Sequence, residues 1–184
     1  PHPIGCEFKA IADAQFNLFL RLDPVEPPEY SIKKKFSDQY PPTIASVLRL
    51  VEPWFYSDRT VITDSWFGST DACINLHSHG LYSILQIKKR RYWPKNIPHD
   101  ITDALEDEYG SFVSRTCKIN STDLTVCSIR DRKDIVLLAS CSTTVPRSEI
   151  KRYIKDFGDV TFHRPVVIDE FCACKSAVDI LNNM

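Results

Sequence analysis

Thr60-Val61-Ile62-Thr63-Asp64-Ser65-Trp66-Phe67-Gly68-Ser69 is a short β-branched run that ends on an aspartate, turns, and then offers a serine where a helix can begin. Residues 60 to 63 have the make-up of a buried strand. Folds that alternate strands and helices place ligand-binding groups at the carboxyl ends of strands, which is where Asp64 falls. An aspartate there can hold a divalent cation against phosphate oxygens, because Mg²⁺ is bound through one or two carboxylates plus substrate and water. Aspartate at a strand end also commonly caps the turn that follows. Both readings of Asp64 stand at this point.

Working outward, Ser69 or Thr70 can cap a helix over 70 to 79, which Gly80 would end. Residues 81 to 87 (LYSILQI) form the next strand and run into Lys88-Lys89-Arg90-Arg91. Upstream, Pro41-Pro42-Thr43 starts a helix whose apolar positions are Ile44, Val47, Leu48, Leu50 and Val51. Residues 6 to 12 and 15 to 22 predict two strands joined around Asp13-Ala14, and 24 to 40 predicts an exposed loop. Downstream, 110 to 142 is β-patterned, 147 to 157 is polar and helix-permissive, and 168 to 181 predicts one helix. The order points to a mixed α/β domain with a β insertion.

The chain has 184 residues, 43% hydrophobic and 26% charged, which suits one globular domain or the larger part of one. Its formal net charge of -1 gives no global case for nucleic-acid binding, so any such contact must come from local basic patches. Seven cysteines, an odd number without a CxxC pair, form no disulfide framework and favour a reducing, intracellular setting. No apolar run is long enough to span a membrane.

Two basic runs, Lys33-Lys34-Lys35 and Lys88-Lys89-Arg90-Arg91, could contact phosphates. Tyr92 and Trp93 beside the second could stack on unpaired bases. Solvated loop ends are the plainer reading of both. His77 and His79 are two apart near a helix end and do not share a face as paired ligands would. Trp54, Phe55, Trp66 and Phe67 are assigned to the core, and Asp13 to a hairpin turn.

TVITDSWFGS, a helix, and then GLYSILQIKKRRYWPK together resemble the second acidic block of piggyBac-like DDE transposases. The opening Pro1-His2-Pro3-Ile4-Gly5-Cys6-Glu7-Phe8-Lys9 through Ala12-Asp13 resembles the segment just after that family's first catalytic aspartate. Arg164-Pro165-Val166-Val167, Phe171 and Val178-Asp179-Ile180-Leu181-Asn182 resemble its third acidic block. The three blocks occur in family order and span nearly the whole chain.

The resemblance implies an RNase H-like α/β fold with a mixed sheet, flanking helices and a β-rich insertion. Residues 1–109 and 160–184 would form the core of a partial catalytic domain, and about 110–159 the insertion. Asp64 would be the second catalytic, metal-binding aspartate and Asp179 the third, with Asp169 and Glu170 as rivals on the same segment. The first acid would precede Pro1. Implied with them are a divalent cofactor (Mg²⁺ or Mn²⁺), DNA as partner, a possible homodimer and a nuclear location. Lys88, Lys89, Arg90 and Arg91 are the candidate DNA-binding residues.

The chain departs from the family pattern at Ser65, Ser176-Ala177 and Asn182, and Cys172-x-Cys174 does not have zinc-knuckle spacing. With one acid outside the chain, the expectation is a polypeptide that neither cuts nor joins DNA alone. The alternatives are a non-catalytic DNA- or chromatin-binding module derived from a transposase, and a decayed element remnant.

Overall fold

The computed structural model describes residues 5–98, 100–155 and 157–182. The chain opens with an antiparallel hairpin, β1 (Phe8–Asp13) and β2 (Leu18–Pro24). Asp13 closes the turn, its Oδ1 accepting the backbone N–H groups of Gln15 at 2.9 Å and Phe16 at 2.8 Å. The stretch expected as a plain loop contains one short helix, α1 (Pro28–Ser31). Helix α2 (Pro42–Val51) follows, with Pro42 in its first turn, where a missing N–H costs nothing. Its buried stripe includes Ile44, Val47, Leu48 and Val51.

Asp23 ties the hairpin to α2. Its buried carboxylate accepts hydrogen bonds from Ser46 Oγ (2.7 Å), Arg49 Nη2 (2.8 Å) and Lys34 Nζ (3.0 Å). Burial alone would push this carboxyl up. The bonds from Arg49, Ser46 and Lys34 outweigh that and hold it below the usual carboxylate range. Lys34 is partly buried in ion pairs with Asp23 and Glu26, so it is not the solvated loop end expected, whereas Lys35 is exposed and pairs with Glu52.

Strand β3 (Thr60–Thr63) is joined by α3 (Thr70–Ser78) to β4 (Tyr82–Gln86), and the two strands are parallel. A parallel pair needs such a crossover. Ser69 caps α3, its Oγ accepting the Ala72 N–H at 3.1 Å. Gly80 ends the helix at φ +67°, where an added Cβ would lie 2.7 Å from Tyr56 Cα.

After the short α4 (Asp100–Asp103) come β5 (Phe112–Ile119), β6 (Thr122–Arg130) and β7 (Asp134–Ala139). They pair antiparallel with one another, and β7 pairs with β4. The result is a mixed sheet ordered β3-β4-β7-β6-β5.

Side chains alternate across this sheet. Leu85, Val126 and Leu138 face a core shared with α2 and α3. Ile84, Cys127 and Leu137 face a second core that includes Phe162, Ile168 and Phe171.

Two expectations fail in the C-terminal third. Residues 147 to 157, read as helix-permissive, lie mostly in strand β8 (Pro146–Ile154), which pairs with β9 (Gly158–Pro165) in a separate ribbon. Pairing with β9 supplies backbone partners that a polar segment could otherwise have satisfied within a helix. The single helix expected over 168 to 181 is two, α5 (Val166–Cys174) and α6 (Ala177–Asn182). At the break the Lys175 N–H closes on Phe171 O at 2.9 Å, and Ala177 turns inward to a buried position. No helix among the described residues is long and apolar enough to cross a membrane.

Candidate active-site groove

Among the described residues strand β3 pairs only with β4, along one edge, and β1 pairs only with β2. Both strands line one groove of about 980 Å³. Helix α6 packs against the hairpin and forms another wall. The walls carry apolar side chains such as Phe19, Leu22, Val61 and Val178.

Asp64 leaves the carboxyl end of β3 and lines the groove, exposed to solvent. Its Oδ1 accepts the Trp66 N–H at 3.0 Å, and its carbonyl oxygen accepts the Gly68 N–H at 3.2 Å. The turn-capping role is therefore present, but it occupies one carboxylate oxygen. Gly68 is required by close approach rather than by an unusual dihedral, since a Cβ there would sit 1.8 Å from Gln86 O. That contact presses the Asp64 turn onto the end of β4.

Asp179 is exposed on α6 and lines the same groove. Its two rivals do not. Asp169 faces Arg164, Oδ1 to Nη1 at 3.9 Å, with its other oxygen buried and without a hydrogen bond, and Glu170 is exposed outside the groove.

Carboxylate oxygens are the donors Mg²⁺ and Mn²⁺ prefer. Among the described residues, however, no three His, Cys, Asp or Glu side chains converge to hold a metal ion. Among the described residues the donor set is thus smaller than the metal pair implied by the resemblance would take.

The aromatic and basic residues sort differently from the sequence reading. Trp54, Phe55 and Phe67 pack against the core as expected. Trp66 does not, being 67% exposed at the groove with Lys9 Nζ 4.7 Å from its ring centroid. A tight turn beside Asp64 leaves it no core surface to reach. Trp93 is buried under Arg90, 4.9 Å from ring to guanidinium, so it is not available to stack on bases.

The run Lys88 to Arg91 is split. Lys88 and Arg90 line a second cavity, whereas Arg91 turns onto Tyr92. His79 packs on Phe55 at 4.3 Å and His77 Nδ1 meets Thr122 Oγ1 at 3.1 Å, both structural contacts.

The seven cysteines are free. Burial pushes the Cys73 thiol up to about 11 and the Cys127 thiol up to about 12, so both are inert inside the sheet's cores.

The family model described as Transposase IS4 matches residues 1–184. The chain belongs to that family. Among solved structures it is similar to piggyBac transposase in a cryo-EM synaptic complex with hairpin DNA, with a TM-score of 0.68 and 20% identity. The likeness covers 98% of this chain and 34% of the other, so the chain spans about a third of that transposase's length. The transposase-family chain thus has the RNase H-like DDE fold, with its mixed sheet and flanking helices. Among curated proteins none matches it.

Proposed function

We propose that this chain is the larger part of the DNA-cutting core of a transposase, and that Asp64 and Asp179 are two of its catalytic carboxylates. One observation carries this: two aspartates far apart in the sequence line a single groove, itself lined by β1 and β3, each paired along one edge only among the described residues. Free strand edges present unpaired N–H and C=O groups and take up another strand readily. The groove is a slot for one extended strand, antiparallel to β1 or parallel to β3, that brings the missing carboxylate from outside the described residues. DNA is the substrate, divalent metal the cofactor, and a nuclear location follows from the substrate.

Alone, the chain holds an incomplete donor set and does not cut DNA. In the longer protein that carries the strand, Asp64→Asn and Asp179→Asn each abolish nicking of supercoiled plasmid in Mg²⁺ or Mn²⁺, while Glu170→Gln leaves it intact. Nicking that survives Asp179→Asn overturns the assignment of that acid. Nicking by residues 1–184 alone overturns the incompleteness. DNA binding without any cleavage by the longer protein would mean that the non-catalytic module is the correct reading.

A further inference from the structure

Beside the groove lies a second cavity, of about 750 Å³, lined by Lys88, Arg90, Arg132, Lys133, Arg152 and Lys175. The carboxylates on its wall are Asp131 and Asp134. Asp131 is buried and already engaged by Arg152 Nη2 at 3.0 Å and Arg164 Nη2 at 3.3 Å, and Asp134 faces Arg130 Nε at 3.6 Å. Lys88, Lys133 and Lys175 have no ion-pair partner among the described residues, and all three are exposed. A chain whose formal net charge is -1 has concentrated cations here from four separate places: the end of β4, the β6–β7 turn, β8 and the α5–α6 break.

The cavity is continuous with the chemistry of the groove. Ser65 lines the basic cavity while its neighbours Asp64 and Trp66 line the groove, and Lys175 lines both. A polyanion lying in the cavity therefore passes directly beside Asp64. Like charges at this density repel one another, and an anion with regularly spaced phosphates relieves the repulsion while releasing its own counterions.

We propose that this cavity is a phosphodiester-binding site that holds the DNA backbone next to Asp64, with Lys88, Arg132, Lys133 and Lys175 as its phosphate contacts. The inference rests on the DNA-cutting reading but assigns residues that, apart from Lys88, no sequence signal singled out. Backbone contacts of this kind fix position without reading sequence.

The test is fluorescence anisotropy of a labelled 20-base-pair duplex of arbitrary sequence against the chain over a series of KCl concentrations. Comparison variants are Arg132→Gln/Lys133→Gln and, separately, Lys88→Gln/Lys175→Gln, with Lys33→Gln as control and thermal melts of each. Each lysine or arginine lost from a phosphate is expected to flatten the log affinity against log salt slope by about 1, so each double variant flattens it by about 2. Lys33→Gln leaves the slope unchanged, and the loss is the same for unrelated duplex sequences.

An unchanged slope in both double variants, with wild-type melting, overturns the site yet leaves the DNA-cutting reading standing. No duplex binding by the chain overturns it too, and the nicking assay on the longer protein then decides the broader reading independently. Inorganic pyrophosphate alone that binds at this cavity without competing with duplex would identify a small-anion site and overturn the DNA-backbone assignment.

Discussion

Gly68 lies so close to Gln86 that a Cβ on Gly68 would be 1.8 Å from the Gln86 carbonyl oxygen and 2.8 Å from its carbonyl carbon. The loop that carries Asp64 is thus seated on the end of the neighbouring strand, and the position of the aspartate is set by backbone meeting backbone. Gly68→Ala forces the loop off β4. Overpacking of this kind costs about 1–3 kcal/mol. A thermal melt should show a drop of several degrees, and nicking by the longer protein should fall further than stability does, because Asp64 moves with the loop.

Acid should loosen the hairpin from α2. The Asp23 carboxyl is held below its unfolded value of 3.8, so its contribution is fully present above that pH and is lost as pH falls through the folded value. Asp23→Asn removes the charge that Arg49 and Lys34 face. Removing one partner of a buried pair costs up to about 3–5 kcal/mol, here lessened because Arg49 also donates to Lys35 O at 3.0 Å and Ser37 Oγ at 3.2 Å. Melts from pH 6 to pH 2 should show a steeper loss below about 4 for the wild type than for the variant. Parallel curves would count against the network.

Thiol reactivity should follow burial. With a limiting alkylating agent at pH 8, exposed Cys6 is modified first, while Cys73 and Cys127 stay unmodified until the chain unfolds. Peptide mass spectrometry reads the order directly. Early modification of Cys127 would mean that the β6–β7 pairing opens in the native state.

Divalent metal should stabilise the isolated chain little. A site with metal at a hundred times its Kd would add about 2.7 kcal/mol, which in a domain of this size is a shift of several degrees. Because the described carboxylates do not form a group of three ligands, 5 mM Mg²⁺ should move the melting temperature by less than about 1 °C. A larger shift, abolished by Asp64→Asn, would show that the chain completes a metal site unaided.

Leu85, fully buried on β4 between the helices and the sheet, is the place to measure the core. Leu85→Ala should cost about 2–5 kcal/mol, and a smaller loss in urea denaturation would mean that α2 and α3 close over the vacancy.

The residues around Asp64 were legible because everything that shapes them is local. A β-branched run makes β3, Ser69 caps the helix from three residues away, and Gly80 takes the left-handed turn that a side chain would resist. The hairpin at Asp13 and the apolar stripe of α2 are set within their own few residues in the same way.

Strand β8 was not legible. Its sequence is mostly polar, and it is extended because β9 pairs with it, Glu149 opposite His163 and Lys151 opposite Thr161. The break between α5 and α6 carries neither glycine nor proline, and Ala177 is drawn into a buried site there by tertiary packing.

What the sequence by itself determined is the locally specified elements, among them the Asp13 hairpin, α2, β3 and α3, and the two aspartates worth following. Only the tertiary structure decided that Asp64 and Asp179 share a groove, that Trp66 is exposed there, and that Arg132, Lys133, Arg152 and Lys175 join Lys88 and Arg90 in one cavity. The physical reason is range. Capping, turn chemistry and β-branching act over a few bonds, whereas convergence of distant side chains depends on strand order and register, which are set by pairing across the whole sheet.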